Sequence, residues 1–366
     1  MTDLFEPLAF TRGPAMKNRF MLAPLTNLQS GVDGVMSDDE FRWLTYRAIG
    51  GFGLVMTCAA HVQRIGQGFP GQMGVWSDNH LPGLTRLATQ IKAEGSLSSI
   101  QLHHAGIRSP KDLIGEAPVG PSADAETGAR ALSEGEVEQL VEDFVAAAVR
   151  SEKAGFDGVE IHGAHGYILC AFLSPETNRR TDKWGGSLEN RVRIVFEIIK
   201  GVRARTRPDF QFGLRLSPER FGLQFADQVE VARWMLASGD IDYLDMSLWD
   251  TFKAPVEQAF AHKPLVDWFV ELPRGETRLG VAGKLMGADD VRRALDHGAD
   301  FALLGRAAIL HHDFPKQVQA DPAFRSIALP VTRAHLVAEG LGPVFVDYMN
   351  SWKGFVVQEE AQTEPA

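Results

Sequence analysis

The chain has only two cysteines in 366 residues, Cys58 and Cys170, and no CxxC pair. That excludes an iron–sulfur cluster or a zinc ribbon and suits a reducing compartment, so a cytoplasmic protein is expected. Positive charge is also in deficit. The formal net charge is -10, and no basic stretch recommends nucleic acid or an anionic membrane as a partner. No apolar run is long enough to span a bilayer, and "MTDLFEPLAF" lacks the basic-then-apolar order of a signal peptide. Finally, the turn after the first apolar run, "APLTNLQS", contains no GxGxxG, which counts against an open dinucleotide-binding sheet.

What is present is a repeat of short apolar runs: 19–26, 52–60, 98–106, 156–164, 210–218, 241–248, 277–284 and 300–306. They do not alternate polar with apolar, so they read as strands buried on both faces, as parallel strands are. Helical patterns lie between most of them. Ser133 and Glu136 form a capping box ahead of Val137, Leu140, Val141, Phe144, Val145 and Ala148. After Ser187 a stripe runs through Leu188, Val192, Val195, Ile199 and Val202. Eight strands alternating with helices predict an α/β fold, a (β/α)8 TIM barrel. One domain over 1–356 is expected. Residues 107–132 form a long proline-containing segment after the third strand, expected as a lid loop or small subdomain, and 357–366 a disordered tail.

Such barrels carry their active sites at the C-terminal ends of the strands. Unusual polar residues fall there: Thr26 after strand one, Gln101, His103 and His104 on strand three, and His162, His165 and Tyr167 after strand four. Arg215 lies on strand five, Gly283 and Lys284 close strand seven, and Gly305 and Arg306 close strand eight. A lone strand-end histidine is ordinarily a hydrogen-bonded structural residue, but two with a tyrosine inside six residues favour chemistry. Paired glycine–cation ends after strands seven and eight suit a phosphate, since bare N–H groups and positive charge meet a dianion. Arg215 reads either as a salt-bridge partner or as a cation awaiting an anion. No carboxylate accompanies the histidines in this reading, which argues against a hydrolytic metal site, and no metal is expected.

These motifs resemble the old yellow enzyme family of FMN-dependent ene-reductases. "MKNRFMLAPLT" is similar to its opening strand, "QLHHAG" to its QLxHxGR motif, "SPETNRRTDKWGGSLENRVR" to its longest signature, and "GADFALLGRAAILHHDFP" to its last strand and phosphate loop. The resemblance covers nearly the whole chain. It implies non-covalent FMN, with NAD(P)H as electron donor and a small enone-type substrate whose activated C=C is reduced in ping-pong fashion. It places the flavin against Ala23, Pro24, Leu25, Thr26 and Ala60, with Gln101 and Arg215 on the pyrimidine edge. Gly283, Lys284, Gly305 and Arg306 would hold the phosphate. His162 and His165 would grip the substrate oxygen, and Tyr167 would protonate the α-carbon. Departures from the family pattern are Ile107 where arginine is usual (Arg108 is adjacent), Leu28 and Thr26 where one branch has tyrosine and cysteine, and Lys284 in place of glycine. Two alternatives remain at this stage: a 2-hydroxy-acid oxidase on an FMN barrel, and a metal-dependent hydrolase using His103, His104, His162 and His165. Oligomerisation is left open.

Overall fold

Each of the eight apolar runs forms a strand. In the computed structural model, which describes residues 3–358, these are β1 (Phe20–Leu22), β2 (Leu54–His61), β3 (Leu97–His103), β4 (Gly158–Gly163), β5 (Gln211–Leu216), β6 (Tyr243–Ser247), β7 (Arg278–Ala282) and β8 (Phe301–Leu304). All pairings are parallel, each strand lies beside its sequence neighbours, and β8 closes on β1 with Met21 opposite Leu303. β1 is shorter than the run 19–26. Ala23 makes one more bond to the Leu304 carbonyl, and then Pro24, with no N–H to give, ends the ladder.

Helices follow the strands as the periodicity predicts: α1 (Asp38–Ile49), α2 (Leu81–Ala93), α3 (Glu134–Lys153), α4 (Leu188–Arg205), α5 (Phe225–Ser238), α6 (Leu265–Val270), α7 (Ala288–Asp296) and α8 (Arg306–Leu310). In α3 the Ser133 side chain accepts from Glu136 N–H, and the Glu136 carboxylate accepts from Ser133 N–H at 2.8 Å. The six apolar positions expected to face inward on α3 are all buried. Further short helices lie between these elements and after the last barrel unit, and α9 (Pro343–Asn350) comes beyond them.

Two cores result. The larger fills the shell between barrel and helices. The smaller lies inside the barrel and is plugged from below by Leu8, Phe10 and Met16. Its rings need space that only glycine leaves: a Cβ on Gly213 would meet the Tyr243 ring at 2.1 Å, and one on Gly280 the Phe301 ring at 2.4 Å.

Residues 107–132 are not a bare loop. They hold a short helix, Lys111–Ile114, and a two-residue parallel pair, Val119–Gly120 with Arg130–Ala131. The long polar signature ties this segment down: Arg180 donates to the Pro121 carbonyl at 2.9 Å and Arg179 N–H to Ser122 Oγ at 2.9 Å. Within that signature, Asn178 donates to the Phe172 and Trp184 carbonyls, both at 2.8 Å. Most of the tail expected over 357–366 lies outside the described residues. No helix among the described residues is long and apolar enough to cross a membrane.

Candidate active site

Inward-facing positions on β3 to β6 are polar, and they stack towards the C-terminal ends of the strands. Ser99, Gln101 and His103 come from β3, Glu160 and His162 from β4, Arg215 from β5, and Asp245 and Ser247 from β6, all buried. Above them opens a cavity of about 650 Å³, within the usual range for a cofactor site. Its wall runs from Ala23–Thr26 after β1, through His165 and Tyr167 after β4, Arg215 and Ser247, to Gly283–Met286 after β7 and Gly305 and Arg306 after β8.

One end of this cavity suits an anion. Gly283 packs so tightly against the next loop that a Cβ would lie 2.9 Å from both Asp250 N and Thr251 N. Gly305 caps α8, whose first N–H groups have no intrahelical acceptor. Arg306 is exposed and makes no ion pair among the described residues, whereas Lys284 is already paired, its Nζ 2.9 Å from Asp250. The site therefore offers a phosphate backbone N–H groups and an unspent guanidinium, and these residues fit the phosphate of FMN.

The far side of the barrel, at the end of β4, carries the aromatic acids and donors. The His162 ring centroid lies 4.9 Å from His165 and 5.1 Å from Tyr167, and His103 lies 4.3 Å from Tyr167. Burial, reinforced by neighbouring imidazoles and by Arg215 and Arg108, holds His162 well below the usual histidine range. Burial and the same two arginines do so for His165. Both are neutral at pH 7, so each has one N–H to give. His162 Nδ1 accepts from Ala164 N–H at 3.3 Å, which puts its proton on Nε2. His165 Nε2 is 2.7 Å from Ser247 Oγ. Burial also raises the Tyr167 phenol, with Arg108 opposing, so it stays protonated. His165 reaches the cavity wall; His162 sits just behind it.

Not every anticipated residue arrives. Ala60 belongs to the outer core and is fully buried, while its neighbour Ala59 is partly exposed. The cause is a β-bulge between Met56 and Ala59. Leu54 and Met56 face into the barrel, but after the extra residue Cys58, Ala60 and Val62 face out. Gln101 is buried below the cavity, its amide donating to Glu160 Oε1 at 2.8 Å. Arg215 is not an unpaired cation: its Nε lies 2.9 Å from Asp245 Oδ2. Glu160 and Asp245 are thus two carboxyls in the polar stack, where the sequence reading had none. The four histidines of the metal alternative do not converge. His103 bonds Gln72 and His104 bonds Gln63. Among the described residues the one metal-like cluster is His312, Asp313 and Glu339, away from this cavity.

Several wall residues were not anticipated. Arg108 lines the cavity, its guanidinium 4.9 Å over the Tyr167 ring and bonded to the His165 carbonyl, so the cation missing at Ile107 is supplied one residue later. Phe221, Trp249, Tyr348, Met349 and Trp352 complete the rim. His165, Phe221, Trp249 and Lys284 have left-handed backbones, four of the six such non-glycine residues described. Strain of this kind, of order 1–3 kcal/mol per residue, concentrates where geometry must be held for a ligand.

Comparison with known proteins places the chain in a family and a fold. The model of the NADH:flavin oxidoreductase / NADH oxidase family matches residues 3–321. The probable NADH-dependent flavin oxidoreductase YqiG of Bacillus subtilis (strain 168) is 37% identical over 326 residues, 86% of this chain and 87% of the relative. The structure of the old yellow enzyme homologue from Zymomonas mobilis superposes with a TM-score of 0.78 at 28% identity, covering 95% of this chain and 99% of the other. Morphinone reductase in complex with tetrahydroNAD gives 0.78 at 27% identity, over 95% and 97%.

Proposed function

Because this chain belongs to the NADH:flavin oxidoreductase / NADH oxidase family and is an oxidoreductase of old yellow enzyme type, using FMN with NAD(P)H as reductant, we propose that it reduces the activated C=C of α,β-unsaturated carbonyl or nitro compounds. Residues 3–356 act as one FMN-binding unit, with 107–132 as a small subdomain beside the mouth. Bound FMN supplies a hydride acceptor and donor that alternates between nicotinamide and alkene. The chain's own residues do the rest. Gly283, Gly305 and Arg306 hold the phosphate, with Lys284 giving a weaker share because Asp250 already claims it. Ala23, Pro24, Leu25 and Thr26 line one wall, and Ala59 is the β2 residue suited to the mouth. Arg215 faces the pyrimidine edge, where a cation favours negative charge.

The observation that carries this reading is the cluster of His162, His165 and Tyr167, across the barrel from the anion end. Between ring centroids, His162 is 4.9 Å from His165 and 5.1 Å from Tyr167. Burial favours neutral imidazoles and a protonated phenol there. His162 and His165 can each donate one hydrogen bond to a carbonyl or nitro oxygen, which draws electrons from the conjugated alkene. Tyr167 holds the proton that the α-carbon needs. A 2-hydroxy-acid oxidase would need a base free to take a proton and an arginine free to hold a carboxylate. Here Arg215 is paired with Asp245, Arg108 is bonded to the His165 carbonyl, and the phenol is held protonated. Both imidazoles are held well below the usual histidine range, which makes them weak bases.

The test is anaerobic. The purified protein should carry about one FMN per chain, bleach with NADH or NADPH, and regain its colour with a cyclic enone or a nitroalkene. Bleached protein that every enone and nitroalkene leaves colourless, while oxygen restores it, would sink the alkene assignment.

A further inference from the structure

Arg215 and Asp245 face each other across paired strands, with their Cα atoms in register between β5 and β6. The side chains are 7% and 0% exposed and 2.9 Å apart. Among the described residues Arg215 is the one cation in contact with Asp245. The guanidinium also approaches Ser247 Oγ at 3.4 Å, the hydroxyl that His165 holds at 2.7 Å. A second carboxyl, Glu160, lies nearby. Burial and the proximity of Asp245 push its carboxyl up to about 8, which favours the protonated form. Burial raises the Asp245 carboxyl too, but the Arg215 guanidinium 2.9 Å away opposes the rise and favours its charged form. The stack beneath the cavity therefore holds one cation and one anion in direct contact.

We propose that Asp245 sets the reduction potential of the bound flavin by neutralising part of the Arg215 charge. The inference rests on the reading that FMN occupies this cavity with its pyrimidine edge towards Arg215. Hydride transfer from NAD(P)H delivers two electrons and one proton and releases NAD(P)+, so the flavin gains one unit of negative charge. An unshielded guanidinium would favour that charge. A buried carboxylate in contact with the guanidinium opposes it, and in a poorly screened interior the opposition reaches the ring. Asp245 thereby holds the cofactor at a lower potential than Arg215 alone would, which makes the reduced flavin a stronger donor to the alkene. Asp245 does not touch the cavity wall and acts through Arg215, so it is a positioning residue.

The experiment is a redox titration of the holoenzyme against a reference dye at pH 7, comparing wild type with Asp245→Asn and Asp245→Glu. Asp245→Asn should shift the equilibrium about tenfold towards reduced flavin, a rise of about 30 mV for a two-electron couple. Asp245→Glu, which keeps the charge, should stay within threefold of wild type. If Asp245→Asn does not accumulate as folded holoprotein, Asp245→Ser takes its place with the same expectation. A shift below threefold in the uncharged variant, or an equal rise in Asp245→Glu, overturns the inference while FMN binding stands. A wild-type protein that binds no FMN overturns the cofactor reading instead.

Discussion

The inside of the barrel is two different materials. On β7, β8, β1 and β2 the inward residues are Ala282, Phe301, Leu303, Met21, Ala23, Leu54 and Met56. On β3 to β6 they are mainly polar, Ser99, Gln101, His103, Glu160, His162, Arg215, Asp245 and Ser247, with Leu97 and the Tyr243 ring joining the apolar cluster, and each set occupies four contiguous strands. The apolar half can be packed by volume alone. The polar half must pair every group it buries: Gln101 donates to Glu160 Oε1 at 2.8 Å, and Arg215 Nε lies 2.9 Å from Asp245 Oδ2. One backbone thus separates two tasks: one half holds the barrel shut, and the other stores charge and donors under the cavity.

The separation can be attacked from either side. The largest effect is expected on the polar side. Tyr167→Phe keeps the ring but removes the proton, so the alkene half-reaction should slow by about 10²–10⁴-fold, with reduction by NAD(P)H changed only a few-fold. Anaerobic stopped flow resolves the two; equal slowing of both would make Tyr167 a ligand-positioning residue. Next comes the apolar side. Phe301 is fully buried against Tyr243 and Phe10, and Phe301→Ala should cost about 3–5 kcal/mol in denaturant unfolding. Its kcat and KM per folded molecule should stay within about twofold of wild type. A matching loss of activity would mean that the halves are mechanically coupled.

The smallest effect sharpens the comparison through pH. Glu160 is faced by Gln101 from β3, Arg215 from β5, and Tyr243 and Asp245 from β6. Its carboxyl moves from the ordinary 4.5 to about 8 in the fold, burial first and Asp245 second. The folded protein therefore binds more protons than the unfolded chain between those values. The stability this contributes is complete below pH 4.5 and is lost as pH rises through 8. Glu160→Gln has no proton to lose, so its stability should gain on wild type between pH 5 and 8 by on the order of 2 kcal/mol. Parallel stability–pH curves for the two proteins would show that Glu160 is already ionised at pH 5.

The strand count was legible because each run is buried on both faces and so never alternates, and α3 was legible because Ser133 and Glu136 mark its first turn. The glycines and Arg306 of the anion end were legible because close backbone approach leaves a residue-type signature. Other features left none. A bulge between Met56 and Ala59 exchanges the faces of β2, and nothing in "LVMTCAAH" announces it. Met349 and Trp352 reach the rim through tertiary packing alone. The two acids are a different matter. Glu160 and Asp245 stand in the middle of "GVEIHG" and "YLDMS", and a carboxylate inside a doubly buried run already implies a partner or a proton. That signal would have paired Arg215 before any coordinates existed.

The rim also has a consequence in time. The anion-suited end of the cavity is lined by Gly305 and Arg306, and its rim by Tyr348, Met349 and Trp352 on and just beyond α9. β1, made first, waits for β8, about 280 residues later in the chain, before its edge is covered. At roughly 5–20 residues per second of synthesis, β4 is made about 7–30 seconds before Arg306, which opens the helix after β8. The anion end of the cavity is therefore assembled only after the loop that follows β8 has been made, late in the chain.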